Sequence, residues 1–158
     1  MIEFELRGDT QIIARISRTA DIVSAEIMRA LNTVNTQLQR HIQSDKLSGQ
    51  VLNSRTGNLK RSIVQIPATN EGGSIVGGVG MGAEAPYGLA HEFGAHIPER
   101  VPVNSKALHW IGVSGEEVFA MRARAFDLPE RSFMRSSFEE FRDRIEADIR
   151  AAVHEAAV

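Results

Sequence analysis

From Asp9 to Asp45 the chain reads DTQIIARISRTADIVSAEIMRALNTVNTQLQRHIQSD, and the spacing of its apolar residues decides the fold. Ile12, Ile16, Ala20, Val23, Ile27, Leu31, Val34, Leu38 and Ile42 follow one another at intervals of three or four, which puts them all on one stripe of an α-helix. Asp9 or Thr10 supplies the N-cap, and the pattern runs out between Ser44 and Gly49. A helix over residues 10–45 would be about 54 Å long, whereas a compact domain of this chain length is roughly 40 Å across. Either the helix bends near Asn32 to Asn35, or another subunit covers part of its stripe. No Pro or Gly interrupts it before Gly49, which favours the second.

Before this helix, residues 1–8 alternate Ile2, Phe4 and Leu6 with Glu3, Glu5 and Arg7, the period of an extended arm. After it comes a polar connector over 46–60. Two strands follow, Ser62 to Ile66 and Ser74 to Met81, with Pro67 to Gly73 as a long hairpin loop. Gly77, Gly78, Gly80 and Gly82 weaken the second strand but permit a bulge or a close backbone approach, so another element is expected to cross there. Pro86 to Phe93 reads as a short helical turn closed by Gly94. A second hairpin spans Ala107 to Gly112 and Glu117 to Ala125 around Ser114-Gly115. Residues 132–157 form a last helix with Met134, Phe138, Phe141, Ile145, Ile149 and Val153 on one stripe. The plan is α+β: a long N-terminal helix and a C-terminal helix packed on a small antiparallel sheet of two hairpins, residues 62–125, in a single domain over 1–158.

Composition narrows the function classes. The chain has 158 residues, 42% of them hydrophobic and 24% charged, the balance of an ordinary globular protein. It contains no cysteine, so disulfides, thiolate metal sites and thiol catalysis are excluded. Arg15, Arg18, Asp21, Glu26 and Arg29 break up the most apolar helix, so no membrane partner is expected. The N-terminus carries acids where an export signal carries bases, and cytoplasmic synthesis is expected. Net charge is −2, but residues 1–65 carry +3 and residues 66–158 carry −5. Opposite halves suit identical subunits meeting head to tail; two solvated faces of one domain would look the same.

Several motifs resemble catalytic ones and fail on spacing. His91-Glu92-Phe93-Gly94-Ala95-His96 differs from the zinc-protease helix by one residue, and Gly94 ends the helix before His96. The expected role is mechanical: Tyr87, Leu89, Ala90 and Phe93 anchor a short turn, while His91 and Glu92 make polar contacts. The glycines at 77–82 lack the third position of a dinucleotide loop, and no Lys-Ser/Thr follows them. Arg40, Lys46, Arg55, Lys60 and Arg61 form a loose basic region able to touch phosphate, without aromatic residues for stacking. Thr56, Gly57 and Asn58 form a turn with positive φ at glycine, delivering Leu59 and Ile63 to the core. Pro129 stops a strand, Ser132 caps the last helix and Phe133 packs beneath it. Arg131 is expected to pair with Glu130 or across a subunit boundary. Ile27, Leu31, Val34 and Leu38 are the expected interface or helix-packing residues.

Five segments in order, Thr56 to Ile63, Tyr87 to Gly94, Lys106-Ala107-Leu108, Val118-Phe119 and Pro129 to Phe133, give the chain a resemblance to the tail-completion and minor tail proteins of long-tailed bacteriophages. The match covers residues 10–155. It departs at Ser132, where that family more often has proline. The resemblance implies a non-enzymatic virion protein of the neck or tail, without cofactor or metal. Such a protein is made in the host cytoplasm and joins the head-proximal end of the tail to the head. It also implies a homo-oligomer, usually a six-fold ring, whose partners are a neck connector or stopper and the tail terminator or tail tube. A tail terminator ring is the alternative within the same region, and a small DNA-contacting protein near the channel is a further one.

Overall fold

The computed structural model describes residues 9–53, 56–112 and 114–156; the arm over 1–8 and Arg55 lie outside them. Helix α1 runs Asp9–His41 and passes into a π-helical turn, Ile42–Lys46. A short helix α2, Asn58–Ser62, leads into strands β1, Ile63–Glu71, and β2, Ser74–Met81. Then come α3, Tyr87–Phe93, β3, Ala95–Ile97, β4, Leu108–Ile111, β5, Glu117–Ala120, β6, Phe126–Leu128, and the last helix α4, Met134–Ala156. The architecture is α+β with two long helices and small antiparallel sheets.

The strands pair as β1–β2, β3–β6 and β4–β5, each antiparallel and each a separate two-stranded sheet. The two expected hairpins therefore do not join into one sheet. Where the sequence predicts a single domain, the contacts group into two units: Met1–Ala85 with Phe133–Val158, and Pro86–Ser132. The second unit holds β4–β5 between β3 and β6. Those two three-residue strands are too short to leave a periodic signal, and β5 stops at Ala120 instead of Ala125. Among the described residues no helix is long and apolar enough to cross a membrane.

The first unit is built around α1. Its α-helical stretch has 33 residues, about 50 Å, and runs without interruption through Asn32 to Asn35. The fully buried part of its stripe begins at Val34. Val34, Leu38 and Ile42 are buried; Leu38 and Ile42 join Leu47, Leu52, Leu59, Ile63 and Phe133 in the core. The wider π turn lets the sequence neighbours Lys46 and Leu47 both face inward. Helix α4 packs along α1, and β1 and β2 pack across it.

The hairpin differs from its expected form at both ends. The strand β1 continues through Pro67, because a bulge between Ile66 and Thr69 absorbs it. The loop then shrinks to Gly72-Gly73, whose φ values of 62° and 93° fit the tight hairpin turn that favours glycine. Gly77 stands opposite the bulge: a Cβ there would lie 2.9 Å from the Ala68 Cα. The hairpin's own bulge makes the close backbone approach at Gly77, and α1 packs across β2 as expected of a crossing element.

A row of amides along α1 and the π turn that continues it completes this unit. Asn32 Oδ1 accepts the Ala68 N–H at 2.9 Å, Asn35 donates to Ile66 O at 3.5 Å, and Gln39 donates to Ile63 O at 2.7 Å. Gln43 donates to Lys60 O at 2.8 Å. The four residues recur at helical spacing, so one helix face supplies β1 with the partners a third strand would give. Val64, Ile66 and Val76 remain exposed on the hairpin.

Candidate functional site

The Thr56 to Ile63 segment forms as its residue types dictate. Gly57 has φ 75°, Arg61 N–H donates to Gly57 O at 3.0 Å, and the Asn58 N–H reaches Thr56 Oγ1 at 3.4 Å. Leu59 and Ile63 are buried in the core, as is Phe133.

In the second unit the Tyr87 and Pro129 motifs come together. Arg131 N–H donates to His91 O at 2.7 Å, and Ser132 Oγ donates to Glu92 Oε1 at 2.8 Å. Gly94, with φ 73°, ends α3 where a Cβ would meet Leu128 O and Glu130 N at 3.1 Å. One expectation is overturned here. Tyr87, Leu89 and Phe93 do not anchor α3 by burial; all three are exposed, and the buried residues of the helix are Gly88 and Glu92. In a seven-residue helix one i, i+4 pair suffices to define the inward face, and here that pair is small and polar.

His91 lies edge-on to Tyr87, ring centroids 6.3 Å apart, with its Nδ1 buried and without a hydrogen-bond partner. Burial first, then the charge of Arg131, holds its imidazole below the ordinary 6.5. The unfolded chain therefore takes up the proton more readily. The stabilisation is full above pH 6.5 and is lost as pH falls through the folded value. His96 sits on β3 and pairs with Asp127 at 2.6 Å, so the two histidines belong to different elements and do not converge. Among the described residues no group of three or more His, Asp or Glu is arranged to hold a metal.

A polar clasp closes the end of α1. His41 Nδ1 meets Asp45 at 2.7 Å and its Nε2 meets Glu140 at 3.0 Å, while the buried Lys46 donates to Glu140 at 2.6 Å. The hydrogen bond from Lys46, followed by that from His41, lowers the Glu140 carboxyl; bonds from Ser44 and His41 lower Asp45. Both ring nitrogens of His41 thus face carboxylates. The arrangement fastens α4 to the end of α1. It also removes Lys46 from the expected basic region, and Lys60 turns to Ser48 Oγ at 2.7 Å.

The second unit also contains a cavity of about 820 Å³, within the size range of ligand pockets. Arg100, Arg122 and Arg124 line it together with Tyr87, His91 and Trp110. Apolar residues Ile97, Leu108 and Leu128 contribute to the same lining. Arg100 and Ala123 exchange two backbone hydrogen bonds of 2.9 Å, which brings Arg122 and Arg124 to flank the bridge. Sequence reasoning misses these arginines; their one local signal is the Arg-x-Arg spacing just before β6.

On α1 the expected interface residues divide. Val34 and Leu38 are 1% and 5% exposed and serve helix packing within the chain, so they are not available to another subunit. Ile27 and Leu31 are half-buried, and Arg131 is exposed. The uncovered apolar surface lies earlier: Ile12, Ile13 and Ile16 are 59%, 61% and 65% exposed, and Ile22 is exposed as well. No family model, curated protein or solved structure matches the chain.

Proposed function

We propose that the chain is a structural virion protein of the neck or tail of a phage or gene transfer agent, completing the head-proximal end of the tail and joining it to the head. The carrying observation is the uncovered first half of α1. A run of exposed isoleucines along one rigid helix is an interaction surface, because each leaves apolar area in water that a neighbour could bury.

The five-motif resemblance supplies the assembly class, and the opposite charges of the two chain halves favour head-to-tail contact between copies. A closed ring needs one surface that meets a different surface on the next copy. The α1 stripe and the exposed hairpin residues Val64, Ile66 and Val76 are two such surfaces. In this reading the partners are the connector or stopper ring and the tail terminator or tube, and the work is geometric.

The test joins light scattering of the purified full chain with cryo-electron microscopy of particle necks. A concentration-dependent ring and matching density in the neck are expected. The pair Ile12→Ser and Ile16→Ser should keep the helical circular-dichroism signal and lose the ring. A monomer at every concentration, with no corresponding neck density, defeats the proposal.

A further inference from the structure

The cavity of the second unit has a lining whose formal charge is all of one sign. Arg100, Arg122 and Arg124 contribute to it and, among the described residues, no carboxylate does; Glu99 approaches Arg122 only at 3.8 Å, both side chains being largely exposed. Guanidinium forks recognise carboxylates in two-pronged fashion, while Ile97, Leu108 and Leu128 require apolar material beside them. The matching ligand is an extended peptide in which acids alternate with apolar residues.

This sequence carries such a peptide: residues 1–8 read Met-Ile-Glu-Phe-Glu-Leu-Arg-Gly. In an extended chain Glu3 and Glu5 fall on one side and Ile2, Phe4 and Leu6 on the other. The i, i+2 spacing of the two glutamates equals that of Arg122 and Arg124, which flank the bridge residue Ala123. We infer that residues 1–8 of one copy occupy the cavity of a second copy, with Glu3 and Glu5 against the arginines and Phe4 against the apolar lining. The segment is continuous in sequence with the uncovered half of α1. The exchange between copies rests on the subunit contact proposed above; the ligand chemistry of the cavity does not.

The experiment replaces Phe4 with a photo-crosslinking phenylalanine analogue in the full chain and mixes ¹⁴N- and ¹⁵N-labelled copies. Cross-links from position 4 to cavity residues are expected, and pairs of mixed isotope should be among them. Cross-links elsewhere, or only within one isotope, overturn the exchange. Arg122→Glu with Arg124→Glu should cut the yield about tenfold, and Glu3→Lys with Glu5→Lys should restore it; an unchanged yield overturns the charge recognition. A labelled synthetic peptide of residues 1–8 should still bind the full-length Ile12→Ser, Ile16→Ser variant by fluorescence anisotropy. Loss of the ring with peptide binding retained separates the two readings, and absence of peptide binding sinks this one.

Discussion

The two halves of α1 carry the same apolar rhythm and meet opposite fates. From Val34 onward the stripe is buried beneath β1, β2 and α4, whereas Ile12, Ile13 and Ile16 remain in water. A periodic pattern therefore specifies a helix and the direction of its greasy face, but not what covers that face. The difference predicts unequal costs for equal truncations. Leu38→Ala should destabilise the isolated chain by about 2–5 kcal/mol, since it removes packed methyl groups and leaves a cavity. Ile16→Ala should cost less than about 0.5 kcal/mol in a monomer and register only in assembly. Urea denaturation of both variants checks the contrast; equal costs would mean that the first half is sheltered after all.

The covering layer is itself vulnerable at one atom. The β1 bulge presses the Ala68 Cα to 2.9 Å from where a Cβ of residue 77 would stand. Backbone cannot swing aside as a side-chain tip can, so Gly77→Ala should cost about 1–3 kcal/mol. Thermal unfolding measures it. Gly78→Ala is the control, because no atom lies within 4 Å of where its methyl would stand.

Much of this was legible in the residues. The order of helices, the β2 boundaries, the Gly57 turn and the Gly94 stop follow from periodicity and glycine placement. The bulge that carries β1 through Pro67 was not, because proline signals a break unless one knows the strand has a register shift there. Nor was the amide row of Asn32, Asn35, Gln39 and Gln43 visible, since polar residues on a helix read as a solvated face until a strand edge is placed against them. The site was less legible than the fold. Arg100 and Arg124 are separated widely in sequence and come to one cavity only through the β3–β6 pairing and its bridge, a non-local event that no local pattern encodes.

The covered end is also fastened electrostatically, and acid should loosen it. Glu140 has its carboxyl lowered by Lys46 and then His41, so its stabilisation is present above the ordinary value of 4.5 and lost as pH falls through the folded value. Glu140→Gln leaves the buried Lys46 ammonium without its carboxylate. Because Glu140 is half exposed, the cost at pH 7 should be about 1–2 kcal/mol, below that of a fully buried pair. Once acid has protonated Glu140 in the folded state, wild type and variant should converge, which paired denaturation curves at pH 7 and along an acid series would reveal.

The smallest effect sits at the boundary between the two halves. Asn32 is the first residue of α1 seen to hold the hairpin, through its Oδ1 and the Ala68 amide that the bulge withdraws from the ladder. Asn32→Ala leaves that amide to solvent, which costs about 0.5–1.5 kcal/mol because the site is exposed and water can substitute. Hydrogen exchange should quicken at Ala68 and its neighbours in the bulge, while Leu38 and Ile42 amides keep their protection. If exchange instead spreads down α1 to those residues, then the cover is one cooperative piece and the boundary between the halves lies nearer the start of the helix than burial alone indicates.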